Sequence, residues 1–221
     1  MALTLVWVNG AWANSVNDVT VSKPTWTADW DILFAITMNY NEYFATPPTW
    51  RTRLWYGNDG FYFHELRYKI ASSEPSTYTW SDPYYNRKRA CVSAYRGINK
   101  LDPINTYITS MNSSSGNNII AGNITVSKAN CTLVYLCNNF GDIYTFTPGT
   151  TPGTFIEDFD WGDTTSYCCN EVAHYLRTSS GATGNIQALA SSLWSSYFAG
   201  AIAVNPGTDP IKNASSFQWR F

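Results

Sequence analysis

Charge is what this sequence has least of. Only 14% of its 221 residues are Asp, Glu, Lys or Arg, against about 25% in an ordinary soluble domain. The 14 basic and 16 acidic residues leave a net charge of −2. No basic excess exists to follow a phosphate backbone, which argues against nucleic acid as a partner. Histidine occurs twice, at His64 and His174, and neither stands in a metal-ligand or nucleophile-elbow context. Gly-x-Ser-x-Gly and glycine-rich phosphate loops are missing. No apolar run approaches the roughly 18 residues of a spanning helix, so no membrane insertion is expected. The opening residues Met1–Gly10 lack a charged region and a long apolar run, and read as no signal peptide. The five cysteines are an odd count with one vicinal pair, Cys168-Cys169, which makes a poor disulfide framework. Cys91, Cys131 and Cys137 read as buried, reduced thiols.

Aromatics are abundant, with 10 Trp, 15 Tyr and 11 Phe, which argues against disorder. Short apolar or alternating runs recur between Gly, Pro, Asn, Asp and Ser clusters. They predict strands at Thr4–Trp7, Asp18–Val21, Ile32–Met38, Trp50–Tyr56, Phe61–Ile70, Tyr78–Trp80, Ala90–Tyr95, Ile119–Val126, Thr132–Leu136, Thr154–Asp160, Cys168–Leu176 and Tyr197–Val204. From Phe63 to Ile70 the pattern puts His, Leu, Tyr and Ile on one face and Phe, Glu, Arg and Lys on the other, a half-buried antiparallel strand. Only Ile186–Trp194 has helical features, and its Ser191-Ser192 step reads equally well as a hairpin turn. A dozen short strands imply an all-β fold, a single antiparallel sandwich of two sheets. The domain spans residues 1–206. Residues 207–221 form a C-terminal extension with a tail, Ile211–Phe221. In it Phe217, Trp219 and Phe221 alternate with polar residues, a one-faced strand pattern suited to docking.

Searching for chemistry yields little. The acidic stretch Glu157-Asp158-Phe159-Asp160-Trp161-Gly162-Asp163 has carboxylates at alternate positions, which suit Ca²⁺. Glu157 with Asp160 also makes a remote glycosidase pair. The spacing misses the EF-hand loop, and a strand with Asp158 and Asp160 on its solvent face accounts for the stretch. No catalytic or metal-ligating set is assigned, and no cofactor is expected. Arg87-Lys88-Arg89 reads as a charged gatekeeper before an aggregation-prone strand. The aromatics carry the clearest signal. Trp26, Trp30, Tyr84 and Tyr85 fall near loops, where Trp and Tyr stack on sugars or anchor interfaces.

Several short signatures follow in a fixed order. Val21-Ser22-Lys23-Pro24 leads to Trp30-Asp31-Ile32-Leu33, with Trp30 where the pattern has Gly. Pro47-Pro48-Thr49-Trp50 stands for a Pro-x-Gly-Trp element, again without the Gly. Tyr68-Lys69-Ile70-Ala71 runs into Glu74-Pro75-Ser76-Thr77-Tyr78-Thr79-Trp80. Ala94-Tyr95-Arg96-Gly97 precedes Pro103-Ile104. Ser180-Gly181-Ala182-Thr183-Gly184, Trp194 and Ala201-Ile202-Ala203-Val204-Asn205-Pro206 close the series. Together they resemble a family of single β-sandwich domains found in phage virion and tail-associated proteins and in bacterial surface proteins. The resemblance implies a jelly-roll-like fold and a virion setting, with assembly in a host cytoplasm. It carries no catalytic residues. The expected function is that of a non-catalytic capsid decoration, fibre or tail-surface protein. Its partners would be other virion proteins and further copies of itself. The alternative is a carbohydrate-binding module reading a host-surface glycan.

Overall fold

The computed structural model describes residues 3–41, 43–44, 49–50, 52–112, 116–140, 145–162, 168–194 and 196–207, with backbone only at 14–17, 83–86, 140, 168 and 193–194. The strands are β1 (Thr4–Ser22), β2 (Ile32–Tyr40), β3 (Thr52–Asn58), β4 (Tyr62–Ile70), β5 (Thr77–Arg96), β6 (Ile104–Asn112) and β7 (Gly116–Val126). They continue with β8 (Cys131–Phe140), β9 (Phe146–Pro148), β10 (Ile156–Trp161), β11 (Cys168–Arg177), β12 (Gly181–Trp194) and β13 (Ser196–Val204). No helix occurs among the described residues. Ile186–Trp194, the segment with helical features, belongs to β12 and pairs with β7 and β9.

All pairings are antiparallel, and the strands form three sheets where the sequence suggested two. The first has the order β1-β5-β2-β4-β3, the second β10-β11-β8-β13-β6 and the third β7-β12-β9. The first five strands all fall in one sheet, so the chain does not interleave its strands between two sheets as a jelly roll does. The second sheet is the middle layer. Val134, Leu136, Val172, Phe198 and Ile202 face Ile32, Phe34, Ile36 and Leu66 of the first sheet. Leu133, Tyr135, Ala173, Ala199 and Ala201 face Ile119, Ile186 and Ala188 of the third. Burial on both faces explains why β13 is a continuous Ala- and Gly-rich run, buried at every position, rather than an alternating one. Gly200 sits so close to the first sheet that a Cβ there would lie 2.8 Å from Leu66 Cδ2.

The outer face of the first sheet is also apolar, and β1 and β5 cover it themselves. They pair from Thr4↔Arg96 to Ser22↔Thr77, with register irregularities between Ala13 and Asp18. The ribbon doubles back there. Asn9 Nδ2 in its first half donates to Ser22 O at 3.1 Å and Lys23 O at 3.0 Å. Val19, Val21, Tyr78 and Trp80 of the far half thereby pack on Leu33, Ala35, Ala90, Val92 and Ala94, joined by Trp50 and Phe44.

This cover corrects two expectations. The Phe63–Ile70 strand is not open to water on its polar face at Glu65 and Arg67. Glu65 and Arg67 are buried there, Arg67 Nε donates to Glu65 Oε2 at 2.8 Å, and Arg67 Nη1 donates to Trp50 O at 3.1 Å. Lys88 and Arg89 are likewise inside rather than solvated gatekeepers. Lys88 pairs with Asp82 across the ribbon's bend, and Arg89 lies on the Trp161 ring with its guanidinium carbon 4.3 Å from the centroid.

Cys91, Cys131, Cys137 and Cys169 are buried thiols in no disulfide. Burial pushes the Cys91 thiol up to about 12, with the Arg89 charge pulling weakly the other way. Native alkylation should therefore leave these four unmodified, and denaturation should expose them. Rapid modification of any of the four in folded protein, read by peptide mass, would contradict their burial. Trp80→Ala should cost roughly 3–5 kcal/mol in chemical denaturation. A loss under about 1 kcal/mol would mean the doubled ribbon is not an essential cover.

Candidate functional site

Three exposed tryptophans, Trp7, Trp26 and Trp30, stand at a corner built around residues 23–31. Pro24 O accepts from Thr27 N at 3.2 Å and Thr27 Oγ1 at 2.7 Å. The Asp31 carboxylate accepts from Ala28 N at 2.8 Å, and Trp30 N donates to Ala71 O at 2.8 Å. Arg96 grips the turn. Its Nε and Nη2 donate to the two Asp31 oxygens, each at 2.9 Å, and Nη2 also donates to Trp26 O at 2.9 Å. So clamped, Trp26 and Trp30 take φ values of 62° and 75°. The left-handed region costs a residue with a Cβ about 1–2 kcal/mol. At Trp30 the backbone takes a conformation that favours glycine, while the side chain is a tryptophan.

Neither ring contributes to the core. Trp26 is 71% exposed, Trp30 57% and Trp7, on β1, 44%. Trp7 and Trp26 meet edge to face at 5.6 Å. Lys100 Nζ lies 4.7 Å from the Trp30 centroid. Beside Trp26 runs an open groove of about 470 Å³ lined by Thr4, Leu5, Val6, Trp26 and Arg96. The Asp31 carboxylate balances the Arg96 charge, so the groove is mostly apolar with a few polar atoms. Such a surface can take a flat apolar face, of a sugar ring or of another protein.

The structure thus brings Trp26 and Trp30 together. It adds Trp7, Arg96 and Lys100, which the sequence did not single out. Trp7 alternates in a strand like any core residue, and Arg96 was legible only as part of the Tyr-Arg-Gly signature. Tyr84 and Tyr85 have side chains outside the described residues. Their backbone lies towards the bend of the ribbon, since Asn86 pairs with Val16 while Arg96 pairs with Thr4. The tail residues Phe217, Trp219 and Phe221 lie outside the described residues altogether, as does the side chain of Trp194. The last described residue, Gly207, donates to Gly97 O at 2.7 Å, next to Arg96 in sequence.

Within the acidic stretch Glu157 is exposed, Asp163 lies outside the described residues, and Asp158 and Asp160 are turned inward rather than to solvent. At the β10 irregularity the Asp158 side chain is 1% exposed; it accepts from Tyr95 Oη at 2.8 Å and pairs with His174 Nδ1 at 2.7 Å. This ties the first sheet to the edge of the second. Asp160 accepts from Phe146 N at 2.9 Å and stands opposite Glu171 across the β10–β11 pair. Glu171 is fully buried, and among the described residues neither carboxyl oxygen has a hydrogen-bond partner. Burial, with the Asp160 and Glu157 charges adding to it, pushes Glu171 up to about 9. Burial also lifts Asp160 to about 6, partly offset by the Phe146 N–H. The remote pair of Glu157 and Asp160 thus flanks a third carboxyl, packed beside Tyr135 and Cys137. Among the described residues no group of His, Cys, Asp and Glu is arranged to hold a metal ion.

Asp160 and Glu171 hold their protons more tightly folded than unfolded. Their stabilising protonation is complete below the ordinary values of 3.8 and 4.5, and is lost as pH rises through about 6 and then about 9. Asp59 acts in the opposite sense. Burial works to raise it, but nearby His64 and Ser196 and the backbone N–H groups of Tyr62 and Phe61, which donate to it, prevail, so its contribution is lost only in acid, below 3.8. The melting temperature should fall from pH 5 to pH 9, and Glu171→Gln should flatten the upper part of that fall. A profile that Glu171→Gln leaves unchanged would show that the carboxyl is not held neutral.

Comparison with known proteins finds no matching family model, no matching curated protein and no matching solved structure.

Proposed function

We propose that this chain is a non-catalytic β-sandwich protein of a phage particle that works by docking. Its role is that of a capsid decoration, fibre or tail-surface protein, and the tryptophan corner is its contact face. The observation that carries the docking reading is the pair Trp26 and Trp30, clamped at positive φ and left in water. Strain held at an exposed aromatic has no use in the core and is characteristic of contact sites. The particle setting, with other virion proteins and further copies of the chain as partners, rests on the ordered motifs that resemble virion and tail-associated domains. The sparse charge, much of it turned inward, supports the same reading, because it leaves a surface of Ser, Thr, Asn and aromatic groups.

The groove beside Trp26 favours a second reading, a carbohydrate-binding module. An aromatic ring next to a few polar groups is what a neutral sugar ring needs, stacking on one face and hydrogen bonds at the rim.

A Trp26→Gly/Trp30→Gly double variant tests both. Glycine relieves about 1–2 kcal/mol of backbone strain at each position, so the melting temperature should hold or rise. Co-sedimentation with purified capsids or tails should be lost, and a glycan array run with both proteins decides the second reading. Particle and glycan binding that both survive the double change would remove the corner as a contact face. A steep loss of stability would show that the two tryptophans serve the fold instead.

A further inference from the structure

Lys88, Asp82 and Asn39 form a cluster that the docking surface does not use. Asn39 on β2 and Lys88 on β5 are direct partners in the antiparallel register, which puts their Cβ atoms about 4.5–5.5 Å apart on one face. A single oxygen, Asp82 Oδ2, accepts from both side chains, from Asn39 Nδ2 at 2.8 Å and from Lys88 Nζ at 3.1 Å. The three are sealed from water at 0%, 1% and 2% exposure for Asn39, Lys88 and Asp82. The Asn39 side-chain oxygen has no hydrogen-bond partner among the described residues. An amine, a carboxylate and a carboxamide are thus packed together at the bend of the ribbon. Burying such a set is costly where a non-polar filling would serve packing as well.

We propose that Lys88 and Asn39 join in an intrachain isopeptide bond, with Asp82 carrying the proton. The Asp82 carboxylate takes a proton from the Lys88 ammonium and leaves an amine. The amine lone pair attacks Asn39 Cγ, forming the Nζ–Cγ bond and a tetrahedral centre. The second amine proton passes through the Asp82 carboxyl to Nδ2, the Cγ–Nδ2 bond breaks, and ammonia leaves. One amide replaces another, nothing is oxidised or reduced, and the proton first taken from the ammonium leaves with the ammonia as ammonium. The protein supplies what the reaction lacks in water. Register holds the amine and the amide together, one carboxylate touches both nitrogens, and burial keeps water from taking the amine's place. The product is a covalent rung between the two central strands of the first sheet, beside the fold-back that covers it.

The intact mass of the purified full chain tests this directly. It should fall below the mass of the sequence by one ammonia, about 17 Da. A peptide map should contain a branched peptide joining the segments around Asn39 and Lys88. Lys88→Arg and Asp82→Ala should each restore the full mass. The unsubstituted protein decides the matter even if those variants fold poorly. A full intact mass in the unsubstituted chain overturns the proposal. So does an ammonia loss that persists in Lys88→Arg or maps elsewhere in the chain.

Discussion

Two-sided burial of the second sheet is the constraint from which the other layers follow. A sheet apolar on both faces must be covered twice, and the first and third sheets are those covers. Small residues at Ala199, Gly200, Ala201 and Ala203 let β13 lie close to both neighbours, as the contact between Gly200 and Leu66 shows. The first sheet has an apolar outer face too, and the same logic runs one layer further. The β1–β5 ribbon folds over it and brings Trp80, Tyr78 and the loop residue Trp50 onto that face.

Layering also decides where the charge goes. Asp31, Glu65, Arg67, Asp82, Lys88, Arg89, Glu171 and Arg177 are buried in a chain that has few charged residues to begin with. Most are answered by specific partners: Arg67 by Glu65, Lys88 by Asp82, Asp31 by Arg96. Glu171 is the exception, answered by no hydrogen bond among the described residues, its pKa raised by burial. Removing one member of such a pair leaves an uncompensated buried charge and is strongly destabilising. What remains for the surface is weakly charged and rich in hydroxyl, amide and aromatic groups.

The tryptophan corner depends on the fold-back. Asn9, Trp7 and Arg96 belong to one half of the ribbon, and residues 23–31 follow the far half. Only the doubling of the ribbon sets Trp26 against Trp7 and its carbonyl against Arg96. The clamp of Arg96 on Asp31 then holds a backbone that tryptophan does not prefer.

The all-β class was legible in the sequence because alternation and turn residues are local signals, and most predicted strands lie where they were placed. Trp26 and Trp30 were legible as loop aromatics for the same reason. The breaks between Trp7 and Asp18, and between Trp80 and Ala90, concealed single long strands, since the bend of a ribbon looks locally like a turn. Ile186–Trp194 read as ambiguous because its Ala and Ser carry weak strand preference, and pairing with β7 and β9 decided it. Asp158, Asp160, Lys88 and Arg89 were placed in solvent because charge alone argues for exposure. Tyr95, His174 and Trp161 reach them from other strands, and Asp82 meets Lys88 from earlier on β5. Local pattern determined which segments are strands and which aromatics stand at turns. Only the tertiary structure decided which faces are covered, because covering a sheet takes strands distant in sequence, and that choice alone buries a charge or leaves a tryptophan in water.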